Sequence, residues 1–218
     1  MDKILTITNL EKSFHTRDGE IKALESVSFD VKEKEFISIV GPSGCGKSTI
    51  LSILAGLEEK SNGEINFSKD YTIGYMLQND SLFEWRTVLE NCLLGLEITN
   101  QLTKENKEYV INLLKTYGLE EFIDSYPSRL SGGMRQRVAL IRTLATKPDI
   151  LLLDEAMSAL DYQSRLAISD DIYKIIKKEG KTAIMVTHDI AEAISLINMT
   201  INTSYFIRCF HYIKYYKK

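Results

Sequence analysis

Gly41-Pro42-Ser43-Gly44-Cys45-Gly46-Lys47-Ser48-Thr49 has the spacing G-x-x-x-x-G-K-S, and its fixed positions each answer a physical demand. Gly41, Gly44 and Gly46 let the backbone curl so that its N–H groups face an anion. Lys47 brings a full positive charge to the β- and γ-phosphates of a nucleotide, and the Ser48 hydroxyl suits a Mg²⁺ ion. Pro42, Ser43, Cys45 and Thr49 belong to the same cradle. Upstream, Phe36 to Val40 is a short apolar, β-branched run of the kind that forms a buried strand. Downstream, Ile50, Leu51, Ile53 and Leu54 predict a helix whose positive N-terminal end faces the phosphates, with Gly56 at its C-cap. Strand, glycine loop and helix in succession predict an α/β core that binds a nucleoside triphosphate.

The loop alone is compatible with kinases, GTPases, helicases and transport motors. Asp149-Ile150-Leu151-Leu152-Leu153-Asp154-Glu155 narrows the field. Four consecutive large aliphatics suit a central parallel strand buried on both faces. A carboxylate at its end lies where open α/β sheets bind ligands. Asp154 reads as the Mg²⁺-side carboxylate and Glu155 as the group that polarises an attacking water. A second acid directly after the first favours hydrolysis over transfer to a bound acceptor.

Leu130-Ser131-Gly132-Gly133-Met134-Arg135-Gln136 precedes a helical pattern with Val138, Ile141, Leu144 and Ala145 on one face, which stops at Lys147-Pro148. Ser131 followed by Gly132 and Gly133 makes a second anion cradle at a helix N-terminus. With this stretch the chain resembles the ATP-binding-cassette (ABC) ATPases, whose motifs appear here in the family's order over about residues 10 to 192. The resemblance implies a P-loop NTPase core with a mostly parallel sheet, an N-terminal antiparallel β layer and an inserted helical subdomain at about 79–131, within a domain spanning 1–195. It also implies ATP and Mg²⁺ as ligands, and a head-to-tail homodimer in which the signature of one cassette closes over ATP held by a second ATPase subunit.

Further positions carry over from the resemblance. Phe14 matches the aromatic that stacks on adenine, with an ordinary core phenylalanine as the alternative. Gln78, after Thr72 to Leu77, matches the hinge glutamine that senses Mg²⁺ and the attacking water. Ser158-Ala159-Leu160-Asp161 matches the loop that touches the partner cassette, and His188, after Thr182 to Val186, matches the switch histidine at the γ-phosphate. Ala156-Met157 departs from the family's usual Pro-Phe or Pro-Thr after the acid pair. Leu82, Phe83 and Trp85 match the groove that receives a short helix from a membrane permease; internal packing under the helical subdomain is the alternative. The stretches 74–98 and 154–189 most resemble the subgroup that imports nitrate, sulfonates and taurine. That implies integral membrane permease subunits and, indirectly, a periplasmic or surface solute-binding protein, with the ATPase at the cytoplasmic face of the cell membrane. A soluble cassette acting in DNA repair or translation and a P-loop kinase are the competing classes; the first calls for coiled-coil insertions or paired cassettes, the second has no use for Leu130 to Gln136.

The composition agrees. With 218 residues, 44% hydrophobic, the chain is ample for one substantial core, and its net charge of −3 argues against nucleic acid as a partner. No signal peptide and no apolar run of transmembrane length are seen. Three isolated cysteines suggest a reducing compartment. Alternation from Leu24 to Val31 predicts an antiparallel edge layer, with a polar turn at 15–20 in front of it. Glu105 to Tyr117 predicts a helix, and Thr87-Val88-Leu89-Glu90 a capping box opening another. Residues 196–218 are atypical: from Ile197 on they hold no acidic residue and no clear period. Their load of Ile, Asn, Tyr and Lys suggests a frameshifted or truncated reading of an A/T-rich gene, or else a divergent tail. If the usual strand is missing, an unpaired sheet edge or an exposed core face that favours aggregation is expected, and the cassette is then impaired.

Overall fold

The computed structural model describes residues 2–16, 19–155, 162–190, 193 and 207–208. Its centre is a parallel sheet of β5 (Ile73–Met76), β6 (Ile150–Asp154), β7 (Thr182–Thr187), β3 (Phe36–Val40) and β8 (Ile207–Arg208), in that order across the sheet. Every residue of β3, β6 and β7 is buried, which is why these strands read as continuous apolar runs instead of alternating.

Successive residues of these strands feed two different cores. Ile150, Leu152, Ile184, Val186, Ile37 and Ile39 point to one side, where α1 (Lys47–Leu54) and the N-terminal layer pack. Leu151, Leu153, Ala183, Met185 and Phe36 point to the other. There they meet α2 (Val88–Ile98), α3 (Lys104–Thr116), α4 (Gly132–Ala145) and α5 (Tyr162–Lys178). Helix α1 has Ala55 and not Gly56 as its cap residue; Gly56 follows in the left-handed conformation (φ 71°) that ends the helix.

The N-terminal layer is the antiparallel sheet β2–β1–β4, formed by β2 (Gly19–Lys32), β1 (Lys3–Thr16) and β4 (Asn62–Phe67). Strand β2 starts earlier than the alternating segment suggested. Leu24 and Val27 are three residues apart, a spacing that would put them on opposite faces of a regular strand. A register shift between the pairs Leu10↔Val27 and Lys12↔Leu24, with Ser26 at φ 51°, brings both to the core side.

The helical span 79–131 contains α2, α3 and two 3₁₀ turns, Glu120–Phe122 and Pro127–Arg129. The capping box forms: Thr87 Oγ1 accepts from Glu90 N (3.2 Å) and Glu90 Oε2 accepts from Thr87 N (2.7 Å). Val110, Leu113 and Leu114 of α3 are buried as the spacing predicts. α4 stops at Ala145, and Lys147 turns left-handed (φ 53°) ahead of Pro148. The expectation of an unpaired sheet edge is corrected for the last two residues of β3: Ile207 and Arg208 pair in parallel with Ile39 and Val40, while no outer pairing of Phe36 to Ser38 is seen among the described residues. The other residues of 196–218 lie outside the described ones.

Candidate active site

The loop 41–49 is held by the layer that precedes it. Gly46 has φ 91°, and a Cβ on it would lie 2.3 Å from the Ala23 carbonyl oxygen and 2.8 Å from Leu24 Cδ2. Conformation and space both require glycine there. Gly44 (φ 79°) is a case of conformation alone, with open space around it. Lys47 is 3% exposed, and its Nζ donates to the carbonyls of Gly41 (2.8 Å) and Pro42 (2.9 Å). The ammonium is thereby folded back under the loop whose N–H groups it accompanies.

β6 delivers two acids to the same place. Asp154 accepts from Ser48 Oγ at Oδ1 (2.7 Å) and from the Tyr75 hydroxyl at Oδ2 (3.0 Å). Burial pushes the Tyr75 phenol up to about 12, with the Asp154 carboxylate adding to the rise, so the hydroxyl keeps its proton. Glu155 takes φ 42°, a left-handed conformation that costs a non-glycine residue about 1 kcal/mol and is held by its N–H bond to the Val186 carbonyl (3.0 Å). This turns its carboxylate toward three other candidate residues: Oε1 lies 3.6 Å from Lys47 Nζ, and Oε2 lies 3.1 Å from His188 Nδ1 and 3.4 Å from Gln78 Nε2. Lys47, Gln78, Glu155 and His188, drawn from four separate segments, form one cluster.

Ser48 and Asp154 are two hard oxygen donors in hydrogen-bond contact, and among the described residues no group of three or more His, Cys, Asp or Glu is gathered to hold a metal. Few protein ligands of oxygen type suit Mg²⁺, which retains waters and takes phosphate oxygens.

The second glycine motif opens α4. Ser131 is its N-cap and accepts from Met134 N (3.4 Å), while Ser131 and Gly132 are exposed. Gly133 meets a packing demand: a Cβ there would fall 2.3 Å from Ile168 Cδ1 of α5. Gln136, last in the stretch, is 2% exposed, its Oε1 unpaired among the described residues, so it belongs to the interior and not to the exposed cradle. Phe14 on β1 is half-buried outside both cores, with Lys12 Nζ 4.7 Å from its ring centre. Residues 156–161, with Ala156-Met157 and the loop Ser158 to Asp161, lie outside the described residues.

The apolar loop after Gln78 divides. Leu82 is buried in the helical core, correcting its reading as a groove residue, whereas Trp85 is 73% exposed and stacks at a tilt on half-buried Phe83 (4.8 Å). Two features that sequence reasoning missed fix this loop. Asn91, fully buried in α2, accepts from Phe83 N and donates to the carbonyls of Phe83, Arg86 and Thr87. From α4, Arg135 pairs with Asp80 and Glu84, and Arg142 donates to the carbonyls of Asp80 and Ser81. An asparagine directly before the apolar Cys92-Leu93-Leu94 and after Val88-Leu89-Glu90 is the available signal for the first.

Residues 24–158 match the family described as ABC transporter. The chain belongs to this family. This ABC ATPase is 46% identical over 198 residues to an uncharacterized ABC transporter ATP-binding protein, YtlC, of Bacillus subtilis, covering 88% of this chain and 76% of that one. It is 39% identical over 199 residues to the taurine import ATP-binding protein TauB of Roseobacter denitrificans, covering 88% and 74%. Among solved structures it is similar to a dimeric ATP-binding cassette in a post-hydrolysis state bound to ADP and Pi, with TM-score 0.73, 34% identity and coverage of 88% and 91%. No helix among the described residues is long and apolar enough to cross a membrane.

Proposed function

We propose that this ABC ATPase is the ATP-hydrolysing subunit of an importer of small compounds such as taurine, sulfonates or nitrate. The observation that carries the catalytic part is the cluster of Lys47, Gln78, Glu155 and His188 around one carboxylate. In this reading the loop Gly41 to Thr49 and Lys47 hold the phosphates of ATP, and Phe14 stacks on its base. Ser48 and Asp154, with Gln78, would hold Mg²⁺, which supplies charge neutralisation at the β- and γ-oxygens. Glu155 accepts the proton of the attacking water, Gln78 orients that water, and His188 fixes Glu155 through Nδ1 while its ring stands at the γ-phosphate.

Ser131, Gly132 and Gly133 complete the site of a second copy in a head-to-tail homodimer, which the likeness to a dimeric cassette supports. Trp85 and Phe83 form the contact with integral membrane permease subunits, which keep the ATPase peripheral at the cytoplasmic face and coupled to a solute-binding protein. The likeness to a taurine importer subunit supports the solute class. Glu155→Gln tests the reading. It should bind ATP normally and lower turnover at least about a hundredfold, the scale of losing a general base; normal turnover would refute the role. Copurification of permease subunits with the tagged chain tests the transport assignment.

A further inference from the structure

We infer that Tyr75 is a positioning residue of the nucleotide site, its hydroxyl holding the Oδ2 side of Asp154 so that Oδ1 stays turned to Ser48. This rests on the reading of Ser48 and Asp154 as holders of a divalent cation. An aspartate carboxyl rotates about a broad, two-fold χ2, so a single bond to Ser48 would leave its plane free. The second bond comes from Tyr75, whose strand pairs in parallel with β6, Tyr75 opposite Leu152, two residues before Asp154. A carboxylate oxygen only accepts, so the phenol donates.

The Ser52 side chain stands beside the Tyr75 hydroxyl as well. Ser52 lies four residues after Ser48, on the same face of α1. Ser52, Tyr75, Asp154 and Ser48 therefore form a run of side chains linking α1, β5 and β6. Such outer partners set the orientation of a ligating carboxylate, and removing one commonly weakens metal binding by about tenfold or more. The run also ties Asp154 to β5, three residues ahead of Gln78, so both acids at the end of β6 are fastened to that segment.

Tyr75→Phe keeps the ring and removes only the hydroxyl. In the full chain, three quantities are compared with wild type: the thermal midpoint, the affinity for a fluorescent ATP analogue without divalent cation, and the Mg²⁺ concentration that half-saturates the Mg²⁺-dependent part of that binding. The first two should be unchanged, and the Mg²⁺ requirement should rise about tenfold, with a smaller rise for Ser52→Ala. Equal weakening with and without Mg²⁺ would make Tyr75 a support of the fold only and overturn the inference. An unchanged Mg²⁺ requirement in Tyr75→Phe, with a requirement lost in Asp154→Asn, would overturn the inference while leaving the reading of Asp154 intact. An unchanged requirement in Asp154→Asn would overturn that reading and the inference with it.

Discussion

Two helices of this chain begin at a glycine-bearing motif that the sequence marks as an anion cradle, and their surroundings differ. At the start of α1, Lys47 is buried, Ser48 is bonded to Asp154, and Glu155, His188 and Gln78 converge from three further segments. At the start of α4, Ser131 and Gly132 are exposed and the serine hydroxyl caps its own helix. The first cradle gathers acids, a cation and a histidine within one chain. The second offers N–H dipoles to solvent, with its neighbouring cation Arg135 already committed to Asp80 and Glu84. A helix N-terminus attracts an anion wherever it stands; the convergent side chains distinguish the α1 cradle, and under the proposed function the α4 motif, lacking them, acts on a second copy.

Deleting the buried charge at the first cradle should give the largest effect. Lys47→Ala is expected to weaken ATP binding about a thousandfold, the scale of removing one partner from a buried charged contact, as read by titration with a fluorescent nucleotide. Affinity within tenfold of wild type would erase the distinction drawn for the α1 cradle.

The glycines sharpen the comparison through stability. Gly46→Ala adds left-handed strain to a collision with the Ala23 backbone, and should cost about 3 kcal/mol. Gly133→Ala meets only the tip of Ile168, a flexible side chain, and should cost about 1 kcal/mol. Urea denaturation of the two variants measures the gap, and equal losses would mean that α4 is as tightly seated as the phosphate loop.

The smallest effect concerns the clamp that joins α4 to the segment after Gln78. Burial alone would raise the Asp80 carboxyl, but the hydrogen bonds from Arg135 and the Leu82 N–H, with the charges of Arg135 and Arg142, hold it below its usual 3.8. A depressed carboxyl contributes stability that is complete above the unfolded value and lost as pH falls through the lower folded value. Asp80→Asn should therefore cost about 1 kcal/mol at neutral pH, since the pair is partly exposed, and its stability should fall less steeply below about pH 4. Denaturation midpoints from pH 3 to 6 give the comparison; parallel curves would show that Asp80 is not the group responsible.

The parts legible in the sequence are those whose chemistry is local. Glycine spacing announced the α1 cradle, aliphatic runs announced β3, β6 and β7, and Thr87 with Glu90 announced the start of α2. The missed parts depend on contacts across the fold. Tyr75 looked like one more apolar residue of a strand until β5 was paired with β6, 79 positions separating it from Asp154. Leu82 and Trp85 are three residues apart in one apolar stretch, yet one is buried and the other 73% exposed. Their separation is decided by the turn that Asn91 clamps from α2. The sequence places Gly133 in an anion cradle, while its close approach to Ile168 appears only once α4 and α5 are packed.

The central claim is that the α4 cradle completes the α1 cradle of a second copy. Light scattering of the Glu155→Gln chain in ATP and Mg²⁺, with and without Ser131→Arg, addresses it most directly. The account predicts twice the monomer mass for Glu155→Gln alone and the monomer mass for the double variant, with the affinity of the monomer for ATP unchanged within about twofold. An equally dimeric double variant would contradict the claim.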